Sequence, residues 1–548
     1  MADATYDAVI IGAGNKGLAL AMYLLKYGGM SVALFEQRHE AGGGWTTDEG
    51  AAPGFLSDYH ATQVSRGYHT ALELDFPEWK ELGCGKGGGM YNTPRVSAGA
   101  IFEEDDSCVV IHSAMSDRSQ ERTAKSIAKL SERDAESWVK LTERHRNLVA
   151  PAFLEFLHNP PPPWGEPDAL ERIMMDPNSG LDPSWIMKTP LEVLRDLFES
   201  DAFIAFLMRM THAGIPVPSD MHGMGIIVLL FGSVGAQWAR GVAGGTHNFA
   251  HAAVKVIQDN GGKIFTKHEV DKVIIENGKA KGVRLTDGTE IQARKLVVST
   301  LDPYNLCFRL IGKEHLSWQL LRRVEHLERR LVCITWYTWA LREAPNYKAA
   351  SSDPDINEAV FVNLINKDPE ALAKEHAVRK LGKNPEELLL QVTNHSLVDK
   401  LRAPEGKFLA MTEQFVLPAN AMSENEWLEF KKTHAEAVMK RWNKHAPNMT
   451  WDNVIGYMPV CPYDICHLAN MAPTGNWAVI DVVPSQLGRS RPVPELARHR
   501  TPIEGLYATG SAWHPLATAA SWQSYNCYKI ICEDFGLRKP WEEAGRTW

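Results

Sequence analysis

Residues Tyr6–Gly28 read YDAVIIGAGNKGLALAMYLLKYG, and the reading of this stretch decides the fold. An apolar, β-branched run ends at Ile11, glycines stand at 12, 14 and 17, and an Ala/Leu-rich run continues to Lys26. The pattern predicts a buried strand, a glycine turn and a helix. In such a turn Gly12 permits the tight reversal, Gly14 lets the main chain approach a pyrophosphate, and Gly17 lets helix and strand pack closely. The free N–H groups of the helix then face the phosphates. A second apolar strand, SVALFE, ends at Glu36, about 20 residues on, where a carboxylate can accept hydrogen bonds from a ribose. A lone G-x-G-x-x-G is weak evidence, but strand, glycines, helix, strand and acid in order predict a dinucleotide site.

At 548 residues, 44% of them hydrophobic, the chain can bury a large core, and its length predicts roughly two to four domains. A net charge of −9 lacks the basic footprint of a nucleic-acid binder. The basic run Arg322–Arg330 alternates with Glu325 and Glu328 and reads as a solvated helix face. MADATYDAV has neither the basic nor the apolar region of a secretory signal, so a cytoplasmic chain is expected. The longest apolar stretch, Gly223–Ala236, is broken by glycines and shorter than the roughly 20 residues a span needs; it reads as a buried helix. Eight cysteines scattered without a C-x-x-C predict neither a disulfide framework nor a metal site.

Three pieces of nucleotide-domain grammar are separated by two long insertions. Residues 1–70 hold the first piece. Residues 241–310 hold the second, a glycine-led helix followed by short strands around Lys263–Phe265, Val270–Glu276, Ala280–Leu285 and Glu290–Ala293, and then a buried strand in RKLVVSTLDP. Asn277-Gly278 and Asp287-Gly288 are expected to supply left-handed hairpin turns. Residues 501–548 hold the third, a strand ending near Gly510 and a long segment Ser521–Phe535. The insertion 71–240 reads as helix-rich, with Thr189 as N-cap, Pro190 at N1 and Glu192 completing a capping box. In Asn159–Pro167, NPPPPWGEP must be a rigid loop or lid, because proline lacks the N–H donor. The insertion 311–500 mixes helices with strands such as those in RLVCITWYTWALR and FLAMTEQFVLP. GCGKGGG at Gly83–Gly89 lacks a preceding strand and reads as a loop.

Taken together, GAGNKGL, Glu36, AGGGWTTDEGAAPGF (Ala41–Phe55), Gly244-Gly245, NWAVIDVVPSQLGRSRP (Asn476–Pro492) and RTPIEGLYATGSAWHP (Arg500–Pro515) resemble the FAD-dependent phytoene desaturase-like oxidoreductases, especially their carotene ketolase branch. The resemblance implies a doubly wound α/β FAD domain assembled from discontinuous segments, with an α+β substrate domain. It implies FAD contacts at Gly12, Gly14, Gly17, Glu36, Gly42, Gly43, Gly44, Gly510 and Ser511, and adenine contact through the main chain of Val270. One departure stands out. Where the family has glycines after His-Pro, this chain has Leu516, Ala517 and Thr518 after His514-Pro515, then Ser521, Trp522, Gln523 and Ser524. Leu516, Ala517, Trp522 and Gln523 are therefore expected to reshape the substrate pocket.

A flavin accepts hydride from carbon, so the protein need supply only orientation, polarity and a base. His514 is the first candidate for a polar group near the flavin ring, with an equally good reading as a histidine that fixes its loop; His60, Gln486 and Arg489 are weaker candidates. The expected activity is dehydrogenation of a C–C or allylic C–H bond of a lipophilic isoprenoid, with electrons passed to an external quinone, carrier protein or oxygen. Competing readings are a ketolase or hydroxylating enzyme, a double-bond isomerase, a flavin amine oxidase, and a non-enzymatic prenyl-lipid carrier. The intact set of Gly12, Gly14, Gly17 and Glu36 argues against the last. Apolar stretches such as NLVAPAFLEFL and FIAFLMRM suggest peripheral membrane contact, with core packing as the competing explanation.

Overall fold

The computed structural model describes residues 4–59, 64–65, 67–83, 90–214, 217–231, 239–468, 471, 473–516 and 519–548. Strand β1 (Ala4–Ile11) buries Ala8 to Ile11, helix α1 (Asn15–Lys26) is buried from Asn15 to Leu25, and β2 (Val32–Phe35) lies wholly in the core. β1 pairs in parallel with β2 on one side and with Glu290–Ser299 on the other. Lys263–Phe265 adds beyond β2, and Leu506–Ala508 pairs in parallel with Val297–Ser299. Lys279–Leu285 and Val270–Glu276 complete the seven-stranded sheet as an antiparallel edge. Helices α1, His247–Asp259 and Trp522–Phe535 cover one face, and a cluster around Leu306, Leu320, Leu496 and Trp513 covers the other. Cover on both faces explains why β2, the end of β1 and the end of Glu290–Ser299 are continuous apolar runs, while the antiparallel edge strands keep exposed polar positions.

Two local expectations are corrected. Glu290–Ala293 and the run ending at Ser299 are one ten-residue strand; its first part faces an antiparallel partner and its last part a parallel one, so the pattern changes without a break in the chain. Asn277 (φ 51°) and Gly278 (φ 76°) are both left-handed, whereas in the second turn only Gly288 (φ 90°) is. There the Asp287 carboxylate accepts the Thr289 N–H at 2.9 Å instead.

The second sheet runs Val454–Val460, Ile334–Leu341, Phe408–Phe415, Leu390–Thr393, Ala359–Ile365, Val96–Phe102, Cys108–His112. Its last two strands form a hairpin within 71–240, a stretch whose other elements are mainly helical, and that hairpin joins the sheet through a parallel pairing of Val96–Phe102 with Ala359–Ile365. Both insertions thus build one sheet. The capping box at Thr189 forms, with the Glu192 N–H donating to Thr189 Oγ1 at 3.1 Å and the Thr189 N–H to Glu192 Oε2 at 2.7 Å. Helix Gly225–Phe231 buries Val228 completely. Among the described residues no helix is long and apolar enough to cross a membrane, and no His/Cys/Asp/Glu cluster could hold a metal ion.

Candidate active site

The glycine turn between β1 and α1 is built by close approaches that side chains would prevent. The Gly12 N–H donates to Phe35 O at 2.8 Å, and a Cβ on Gly12 (φ 93°) would stand 2.4 Å from Thr300 Oγ1. A Cβ on Gly17 would stand 2.1 Å from Gly12 O, so helix and turn touch through main chain alone. Gly14 differs: among the described residues its Cβ would meet only Gly43 Cα, at 3.7 Å. Gly14 caps α1 with no side-chain hydrogen bond and no acidic residue follows in the first turn, which leaves the helix N-terminus to an anion.

Gly42 (φ 138°) and Gly43 (φ 57°) complete the cradle. The Gly42 N–H donates to Ala13 O at 2.9 Å, and a Cβ on Gly43 would stand 2.8 Å from Gly14 Cα. Gly44 lies next to them, facing Asn15 Oδ1 and Ala519 across ordinary contact distances. Glu36 at the end of β2 accepts the Ala13 N–H at 2.9 Å and the Arg38 N–H at 3.0 Å, so its carboxylate is fixed against the glycine turn. The His268 N–H donates to Glu36 O and the Lys267 N–H to Arg38 O, both at 2.8 Å, which brings Val270, first residue of its strand, beside the acid. Gly510 (φ 147°) closes the opposite side, where a Cβ would stand 3.0 Å from Thr300 O. Gly12 and Gly510 therefore converge on Thr300.

A buried ion cluster holds the second glycine pair. Arg402 and Asp58, 1% exposed each, are 2.8 Å apart, and Arg402 also reaches Asp399 at 3.0 Å and donates to Leu56 O at 3.3 Å and Val242 O at 2.9 Å. Asp58 Oδ1 accepts the Thr246 N–H at 2.9 Å and Thr47 Oγ1–H at 2.6 Å, and Asp399 accepts the Gly244 N–H at 2.8 Å. This network ties the turn Gly244–Thr246, which opens helix His247–Asp259, to the segments on either side of it.

The turn ahead of Trp522–Phe535 is gripped by the start of α1. Asn15 Nδ2 and Trp45 Nε1 donate to Ala519 O at 2.9 and 3.2 Å, Lys16 Nζ donates to Ala520 O, and Ser524 Oγ donates to Lys16 O at 2.8 Å. Burial pushes the Lys16 ammonium down to about 7. Trp522 Nε1 donates to Gly67 O at 2.8 Å, and Gln523 Nε2 donates to Leu516 O. Leu516 and Trp522 are buried with Leu157, Val217, Met224, Ile227 and Val482 in one apolar cluster. His514 Nε2 donates to Phe156 O at 3.1 Å, and burial pushes the imidazole down to about 3, which keeps it neutral.

Gln486 and Arg489 have structural partners. Gln486 accepts the Glu328 N–H at 2.7 Å and donates to Asp481 O at 3.0 Å. Arg489 pairs with Glu171 at 2.9 Å and donates to Pro163 O at 3.2 Å, pinning the polyproline loop. His60 and Ala517, and most of the loop Gly83–Gly89, lie outside the described residues. Asn15, Lys16, Arg402 and Arg491 were not legible as site residues, although Asn15 and Lys16 stand inside the fingerprint and Arg491 lies two residues past Arg489.

These residues fit a dinucleotide. Gly14, Gly42 and Gly43 leave a side-chain-free cradle at an uncapped helix N-terminus for a pyrophosphate, with Glu36 beside it for a ribose and Gly510–Ser511 on the far side of Thr300. Residues 10–80 match the NAD(P)-binding Rossmann-like domain, and residues 115–339 match the flavin containing amine oxidoreductase family. One of the subunits of limonene dehydrogenase from Castellaniella defragrans is 26% identical over 98% of this chain and 96% of that protein. A neurosporene-forming phytoene desaturase of Rhodobacter capsulatus is 29% identical over 30% of this chain and 29% of its own. Among solved structures, an oxidoreductase from Methanosarcina mazei (TM-score 0.60, 17% identity, 96% of this chain and 99% of that one) and a putrescine oxidase variant (TM-score 0.62, 14% identity, 97% and 99%) share the fold. The cofactor of this chain is FAD.

Proposed function

We propose that this chain, which belongs to the FAD-dependent phytoene desaturase-like oxidoreductases, dehydrogenates a C–C or allylic C–H bond of a lipophilic isoprenoid and passes the electrons to an external acceptor such as a quinone, a carrier protein or oxygen. The observation that supports this reading is the buried apolar cluster of Leu516, Ala520 and Trp522, joined to the start of α1 by the bond from Lys16 to the Ala520 carbonyl. FAD, when bound, supplies a two-electron acceptor that takes hydride from carbon. The chain's own contribution is to orient an apolar substrate and exclude water: Leu516 and Trp522 form the wall, and His514, neutral and tied to Phe156, fixes it.

The test is anaerobic mixing of the holoprotein with terpenes, polyenes and primary amines, following flavin bleaching and product. Bleaching by a terpene or polyene with a new double bond in the product is expected; bleaching by amines alone would make it an amine oxidase, and full-rate product from flavin-free protein would favour the isomerase or carrier. Leu516→Ala removes three carbons from the wall and is expected to move preference toward bulkier substrates by about tenfold in the ratio of kcat/KM values, with FAD affinity little changed.

We further propose that the substrate is taken from a lipid surface. The two apolar stretches that suggest this in the sequence do not carry it: Phe203 to Met208 are core, as are Leu157 and Val149. Other side chains do. Trp164, Met175 and Met187 are 72%, 64% and 73% exposed. The turn 484–489 links their segments: Arg489 lies over the Trp164 ring and pairs with Glu171 of helix Ala169–Met175, and Pro484 packs on Gly223, whose N–H donates to Met187 O. Flotation with liposomes is expected to carry the wild type upward and to leave Trp164→Asp/Met187→Asp behind; wild type remaining at the bottom with every lipid composition would remove the idea.

A further inference from the structure

Arg491 is fully buried, and among the described residues its guanidinium donates only to main-chain carbonyls: Ser511 O at 3.1 Å, Trp513 O at 3.3 Å, Gln486 O at 3.0 Å and Asp481 O at 3.3 Å. Its countercharge is turned away. The Asp481 carboxylate, also fully buried, accepts the Arg330 N–H at 2.8 Å, the Leu331 N–H at 3.0 Å and Asn476 Nδ2–H at 2.6 Å. Asp481 thus offers the guanidinium its carbonyl and sends its charge to the far side. The result is a charge-separated pair whose positive end lies between the carbonyls of Asp481 and Gln486 and those of the Ser511–Trp513 loop, directly after Gly510.

Two buried ions held without a direct bond are expensive. Burial pushes Arg491 down to about 9 and Asp481 up to about 6, and a well-packed apolar side chain at either position would avoid that desolvation. The four carbonyl bonds account for a donor at position 491. They do not account for a full charge shared between the Ser511–Trp513 loop and the carbonyls of Asp481 and Gln486.

We propose that Arg491 is a positioning residue that shapes the Ser511–Trp513 loop around the flavin and, through it, presents a fixed positive charge that favours the reduced cofactor. This rests on the assignment of the Gly510–Ser511 turn to the flavin. Dehydrogenation removes a hydride from one carbon and a proton from its neighbour; the carbon pair becomes a double bond, the proton goes to solvent, and the hydride reduces the flavin, which gains negative charge until the external acceptor takes the electrons. A cation held in a low-dielectric interior stabilises that gain more than water would. No group on the 511–513 loop supplies such a charge.

The experiment is a spectroelectrochemical titration of substrate-free holoprotein, with FAD affinity measured in parallel, so that its outcome does not depend on which substrate the enzyme takes. Arg491→Gln is expected to shift the two-electron equilibrium about tenfold toward oxidised flavin, about 30 mV. Arg491→Lys keeps the charge and is expected to hold the wild-type potential while binding FAD more weakly. Asp481→Asn removes the countercharge, keeps an acceptor and is expected to shift the potential the opposite way. Should Arg491→Gln fail to fold, Arg491→Lys and Asp481→Asn decide. A potential that does not move with charge, or that moves in the same direction for both neutral variants, would reduce Arg491 to a loop anchor and overturn the proposal.

Discussion

Gly14→Val is expected to yield a folded, colourless protein. The Cβ at position 14 has room among the described residues, with Gly43 Cα its nearest neighbour there at 3.7 Å, so the apoprotein is expected to fold. The added methyls instead occupy the space in front of the helix N-terminus where a pyrophosphate would lie. Overpacking of about 3 kcal/mol against a rigid group corresponds to roughly 100-fold in affinity. Gly17→Ala makes the opposite case: its methyl meets Gly12 O at 2.1 Å and is expected to destabilise the fold itself by about 3 kcal/mol. Flavin absorbance after purification, FAD titration of the apoprotein and thermal unfolding separate the two. Retention of FAD by Gly14→Val with unchanged affinity would displace the cofactor from this cradle.

Arg402→Leu is expected to be the most damaging single change away from the glycine turn, costing about 3–5 kcal/mol. Asp58 and Asp399 would both be left buried without a cation, and between them they accept the main-chain N–H groups of Thr246 and Gly244. Loss should therefore spread into helix His247–Asp259 and loosen FAD as well as lower the thermal midpoint. Arg402→Lys, which keeps one charge but cannot reach Asp58, Asp399 and two carbonyls together, is expected to recover only part of it. Equal stability of Arg402→Leu and wild type in differential scanning would show that the network is dispensable.

What could be read from the sequence was local. β1, the glycine turn, α1 and β2 declare themselves because strand, turn and helix each have a short-range signature, and Glu36 follows at a fixed offset. The capping box at Thr189 is legible for the same reason. Arg402 and Asp58 are not, since each alone reads as an ordinary surface charge and their partnership exists only once distant segments meet. Gln486 and Arg489 show the converse limit. The stretch around them is part of the resemblance, yet their side chains are bound to Glu328, Asp481 and the polyproline loop, while Arg491 nearby reaches the Ser511 carbonyl. Stretch-level resemblance locates a neighbourhood; which side chain points where depends on packing.

The parallel pairing of Val96–Phe102 with Ala359–Ile365 sets a timetable for synthesis. When the ribosome releases the hairpin 96–112, the strand it must join is still to be translated, and at about 5–20 residues per second the wait is on the order of tens of seconds. For that interval the nascent chain carries an open sheet edge. The nucleotide sheet waits longer, because Leu506–Ala508 comes later still. A cell making this protein quickly therefore exposes an open sheet edge for that interval, and yield should respond to chaperone supply and to slower growth.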